Sequence, residues 1–250
     1  HLKNDHWNAG LQQMQLGLLD EINLEHLGDR ATDDSLDARI RSFEMAFQMQ
    51  TEAPEVMDLA GETKTTMEMY GIDEPNTDNF GRQCLMARRL VERGVRMVQV
   101  YNGCSSGNEW DTHHNNFKRH QKLMGIVDQG CAGLLADLKS RGMLEDTLVI
   151  WSGEFGRTPG AEAGARNGRD HNPHGYTMFM AGGGMKPGLS YGSSDELGFT
   201  VAENKVHIHD LQATILHCLG MDHERLTHRF QGRDYRLTDV HGNVVHDLLS

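Results

Sequence analysis

Three short stretches of this chain concentrate side chains that bind cations or move protons. GRDHNPHG (168–175) puts Asp170, His171 and His174 within five positions. WDTHHNNF (110–117) carries Asp111, His113 and His114, and EFGRTPG (154–160) carries Glu154 and Arg157. A carboxylate and an imidazole close in sequence both bind one divalent ion when the loop bends to aim them inward. Arg157 suits two-pronged recognition of phosphate, sulfate or carboxylate. The chemistry this set would serve is metal-assisted hydrolysis, with an ion polarising an ester oxygen and acidifying a bound water or alcohol.

Each stretch also has a plainer reading. Asp111 or Thr112 is a good helix cap, which would leave the neighbouring histidines solvated. Glu154 and Arg157 make an ordinary surface pair across a turn, worth little energetically. Lys118, Arg119 and His120 stand where the helix dipole disfavours positive charge. They either serve an anionic ligand or form a solvated face. Ser152 is not in a G-x-S-x-G elbow and reads as structural. His207, His209 and Asp210 open a helix, with Asp210 or His209 read as its cap. The ligand reading is favoured for 168–175 because two histidines and an aspartate stand beside an apolar run, with two similar loops elsewhere.

The elements that must position these loops follow from periodicity and punctuation. Gln12–Leu27 and Asp34–Gln50 have helical spacing, with Leu16, Leu19 and Ile22 on one face and Ile40, Phe43 and Phe47 on the other helix's face. Residues 53–76 are irregular. A helix capped by Asp78 stops at Gly94, another runs to about Gly142, and a third, 209–220, closes at Gly220. VRMVQVY (95–101), DTLVIWS (146–152) and YTMFMAG (176–182) read as strands, the second of the buried type. Alternation of this kind predicts an α/β fold, a doubly wound, mostly parallel sheet with helices on both faces. Ligands in such sheets collect beyond the carboxyl ends of strands. The informative loops should follow Val100, Ile150 and Ala181, or precede Tyr176. The expected organisation is a helical, partly irregular segment over 1–76 and an α/β core with a C-terminal tail over 77–250.

Composition narrows the partners. A formal charge of −12 argues against nucleic acid or an anionic membrane surface. An anionic small molecule stays possible, because a bound ion reverses the local field. The mean hydropathy of −0.57 fits a water-soluble chain, and no apolar run approaches the roughly 20 residues of a membrane span. Cys84, Cys104, Cys131 and Cys218 include no C-x-x-C pair, which disfavours zinc-finger and thioredoxin chemistry. Reduced, buried thiols are preferred over one or two disulfides.

Six motifs in order, WDTH, EFGRTP, GRDHNPHG, GGMKPG, HDLQATILHCLG and FQGRDYRLTDVHG, resemble the bacterial domain-of-unknown-function family 1501 over roughly 77–245. That family is sulfatase-like and is grouped with the alkaline phosphatase superfamily. The resemblance implies a hydrolase of phosphate or sulfate esters with an alkaline phosphatase-like fold and two adjacent divalent metals. Zinc or manganese suits the ligands, with calcium or magnesium less favoured. One metal would take Asp111, His113 or His114, and His171. The second would take the residues after the 146–152 strand, where this chain has Glu154 and Phe155, so Asp170 or His174 would have to compensate. Arg157 would hold the substrate anion and His174 would protonate the leaving group. The family's early aspartate and its nucleophile have no counterpart here. With a first residue other than Met, this points to a C-terminal fragment, incomplete at the N-terminus. The resemblance also implies export to the periplasm or beyond. The rival expectation is a catalytically inactive protein that keeps the fold and binds a metal or ligand.

Overall fold

The computed structural model describes residues 8–28, 34–103, 109–161 and 167–250. The chain divides into two compact units, 1–62 and 63–250. In the first, α1 (Ala9–Gly28) and α2 (Asp34–Met57) are helices, and α2 runs on through Pro54. Leu16, Ile40 and Phe47 are half-buried, whereas Leu19, Ile22 and Phe43 are exposed.

The second unit has a helical core. α3 (Lys64–Met69), α4 (Asp78–Glu92) and α5 (Asn116–Ser140) pack together. Tyr70, Ile72, Phe80, Cys84, Leu85, Leu123, Val127 and Leu138 are buried there. α6 (Ile208–Cys218) buries Leu211, Ala213 and Leu216 on its own inner face. All four helices end in the same way. A glycine with positive φ follows the last turn (Gly71, Gly94, Gly142, Gly220), and the next residue's N–H donates back to the carbonyl five residues earlier. That wrapping satisfies carbonyls the helix leaves open.

The sheet expectation is overturned. Among the described residues the strands form four two-stranded antiparallel ribbons, not a doubly wound parallel sheet. β1 (Val149–Trp151) pairs with β4 (Phe179–Ala181), matching Val149 with Ala181 and Trp151 with Phe179. β2 (Gly156–Arg157) pairs with β3 (His171–Asn172). β5 (Ser193–Ser194) pairs with β6 (Val201–Glu203), and β7 (Thr227–Phe230) with β8 (Arg233–Arg236). A parallel neighbour needs a crossover, usually a helix. Between β1 and β4 the described residues hold turns and the short β2–β3 ribbon, so the chain comes back in the opposite direction. Residues 95–101 form no strand at all. β1 is half-exposed, whereas parallel strands are covered on both faces.

The C-terminus is tied in. Lys186 N–H donates to Leu248 O and Ser250 N–H to Gly184 O, beside a single 3-10 turn at His246–Leu248. Cys84, Cys131 and Cys218 are free thiols, and burial pushes Cys84 up to about 12. Cys104 lies outside the described residues.

Candidate metal centre

Two loops lie side by side to build the site. The loop before α5 is anchored by Trp110, whose indole N–H donates to Asn102 Oδ1 (2.8 Å). It is anchored again by Thr112, which is fully buried and donates its hydroxyl to Asn116 Oδ1 (2.5 Å). Asn115 takes the left-handed conformation just ahead of the helix. The loop over 167–172 runs against this one: Arg169 N–H donates to Thr112 O (3.0 Å) and Asn116 N–H to Asn167 O (2.9 Å). Gly168 makes that approach possible, because a Cβ there would collide with the His113 carbonyl. Beyond it, Thr158 N–H donates to Asp170 O (2.9 Å), and the β2–β3 ladder sets Arg157 directly opposite His171.

These pairings bring Asp111, His113 and His171 together, with one ligand atom from each inside a 4.8 Å span. His171 Nε2 lies 2.9 Å and His113 Nε2 3.2 Å from Asp111 Oδ1. Arg157 Nη1 donates to the same oxygen at 2.8 Å. The hydrogen bond with His171, helped by the charges of His113 and Arg157, holds the Asp111 carboxyl below the usual aspartate range. The three side chains are part-exposed, so the centre opens to solvent.

The other expected residues fall into different places. Asp170 is not in the ligand triad. Its Oδ1 is 3.1 Å from His113 Nδ1, so it fixes the ring and leaves Nε2 facing Asp111. An outer carboxylate that orients a ligating imidazole is the usual support of a metal site. Glu154 accepts from Arg157 Nη2 (3.1 Å) and faces solvent. His174 is exposed, and its backbone N–H donates to Asn172 Oδ1 (3.0 Å). His114 is also exposed. His207 and Asp210 form a capping box on α6 and take no part.

Several supporting residues escaped the sequence reading. Phe155 packs on the His171 ring (4.4 Å between centroids), and the Arg157 guanidinium lies 5.2 Å from the Phe155 ring centre. Asn172 is buried and donates to Phe199 O (2.9 Å), anchoring the strand that carries His171. The loop holding Phe199 is in turn knotted by Asp195, whose carboxylate accepts from the N–H groups of Leu197, Phe199 and Thr200 and from the Thr200 hydroxyl. An Asp beginning a turn was the available signal.

Two imidazole nitrogens and one carboxylate form a donor set that fits a single divalent ion with an open position. The chain belongs to the family described as protein of unknown function (DUF1501), whose model matches residues 2–249. That match covers the N-terminal helices as well as the six motifs. No curated protein and no solved structure matches the chain.

Proposed function

We propose that this protein is a metal-dependent hydrolase of phosphate or sulfate esters. The convergence of Asp111, His113 and His171 carries the reading. A divalent ion held there, zinc or manganese by the donor set, would polarise the ester and acidify a water. Calcium and magnesium prefer all-oxygen shells and fit less well. Arg157, fixed by Asp111 and Glu154, faces the anionic group and stabilises charge that shifts during reaction. Asp170 keeps His113 in one orientation. His174, exposed on the same loop as His171, is the group proposed to protonate the leaving alcohol.

A second reading, an inactive protein that binds a metal or small ligand, draws on the hydroxyl groups. Thr112 is fully buried and its hydroxyl is given to Asn116. The Ser152 hydroxyl donates to the Gly153 carbonyl (2.8 Å). Neither of these two is placed as a nucleophile.

Elemental analysis of the purified chain, beside His171→Ala, tests the first step. Stoichiometric zinc or manganese that falls in the variant supports the centre. Turnover of p-nitrophenyl phosphate or sulfate, lost in the same variant, supports the hydrolase. Bound metal with no turnover of either ester favours the binding protein, and absence of metal sinks the hydrolase.

A further inference from the structure

We infer that the centre takes one divalent ion, not two, and that the Arg157 guanidinium supplies the second positive charge that a tetrahedral oxyanion would meet there. This deepens the metal reading above and rests on it.

The ligand atoms set the count. Among the described residues one group of three lies within binding distance of a shared point, which suffices for one ion with an open position. A neighbouring ion would need a second donor group, and among the described residues none gathers, the loop after β1 included. Glu154 is there, but its Oε1 is engaged by Arg157 Nη2 at 3.1 Å. Phe155 follows, and it has no lone pair. Its ring lies against His171, 4.4 Å between centroids, so an apolar group flanks the triad on that side.

A permanent cation, Arg157, stands beside the triad instead. Arg157 is opposite His171 in the ladder, so the backbone pairing itself sets how close the charge comes to the triad. The side chain is held from three sides. Nη1 donates to Asp111 Oδ1, Nη2 donates to Glu154 Oε1, and the plane rests near the Phe155 ring. Those two contacts use two of the five N–H donors a guanidinium carries. Its charge is also independent of pH and of metal supply. The side chain remains 19% exposed, enough for a small anion to reach it.

The test is a manganese titration of the full chain followed by electron paramagnetic resonance and by calorimetry with inorganic phosphate and with sulfate. One manganese per chain, with an uncoupled spectrum, is the expected result. Arg157→Gln is expected to keep that stoichiometry and to weaken phosphate or sulfate binding by about 10- to 100-fold, the scale of one charge-assisted contact. Arg157→Lys should recover part of the loss. Two manganese ions per wild-type chain, or a spin-coupled spectrum, would overturn the inference without any variant. So would unchanged anion affinity in Arg157→Gln. Loss of the metal in that variant would overturn it too, because Arg157 would then be acting only to position Asp111. Zero manganese in the wild type would instead be the failure of the metal reading itself.

Discussion

Two aspartates of this protein each gather three partners, and they do opposite work. Asp137, on α5, is buried with 4% of its side chain exposed. It accepts from the Tyr70 hydroxyl (3.0 Å) and pairs with Arg88 Nε (2.9 Å) and Arg141 Nε (2.7 Å). Glu92 binds the far sides of both arginines. Asp111 is 31% exposed and meets Arg157 and two imidazoles. Arginine keeps its proton and offers no lone pair, so the Asp137 cluster ties α3, α4 and α5 and has nothing to give a ligand. A neutral imidazole does offer a lone pair, so the Asp111 cluster can exchange its internal contacts for a metal ion. What separates a strut from a site is therefore the type of partner and its access to solvent, not the number of partners. Burial, with the Asp137 charge beside it, raises the Tyr70 hydroxyl above its ordinary pKa, which keeps that group a donor throughout the working range.

The largest expected effect separates the two directly. Asp137→Asn leaves the buried Arg88 with Glu92 alone to balance its charge and should cost about 3 kcal/mol, since breaking a buried pair is far worse than lacking one. Urea denaturation of the metal-free chain reads it. Asp111→Asn should move the same transition by less than about 1 kcal/mol, yet abolish metal binding. Equal destabilisation by both substitutions would make Asp111 a strut as well. A smaller effect sharpens the comparison inside the site. Asp170→Asn keeps an oxygen near His113 Nδ1 but loses its charge, and should weaken metal binding by about 10- to 100-fold with the stoichiometry intact. Complete loss of the ion would promote Asp170 to a ligand. No change would remove it from the site.

Helices were the most legible part of the chain, because their stops are local. Gly94, Gly142 and Gly220 mark ends that the structure places within two residues. The α6 cap was harder to see, because His207 is an uncommon cap and only Asp210 three residues on completes the box. Sheet topology was not legible. The period of 95–101 says that the backbone can be extended, not that a neighbouring strand will accept its hydrogen bonds. The three loops carrying Asp111, Arg157 and His171 stood out by composition, and the structure gathers them. Which carboxylate faces the shared point was read only through the family resemblance, not from the residues themselves. Asp170 and Asp111 look alike in sequence, and their roles depend on which nitrogen of His113 each one meets.

The smallest expected effect reaches the site from a distance. Four donors converge on Asp195 and lower its pKa to about 2, the Thr200 hydroxyl foremost and the backbone N–H groups of Phe199 and Thr200 next. A carboxyl depressed in the folded chain contributes stability that is fully present above its ordinary value of 3.8 and is lost as the pH falls toward 2. Asn172 holds the Phe199 carbonyl and directly follows His171 along β3, so loosening the 195–200 loop should loosen the strand that carries His171. Amide exchange of Thr200 and Asn172 in the metal-free chain, followed from pH 5 to pH 2, checks the link. Both amides should lose protection together below about pH 4, and Asp195→Asn should show the faster exchange already at pH 5. If Thr200 is released while Asn172 stays protected, the loop and the strand are independent, and the Asp111 centre depends on its own two loops alone.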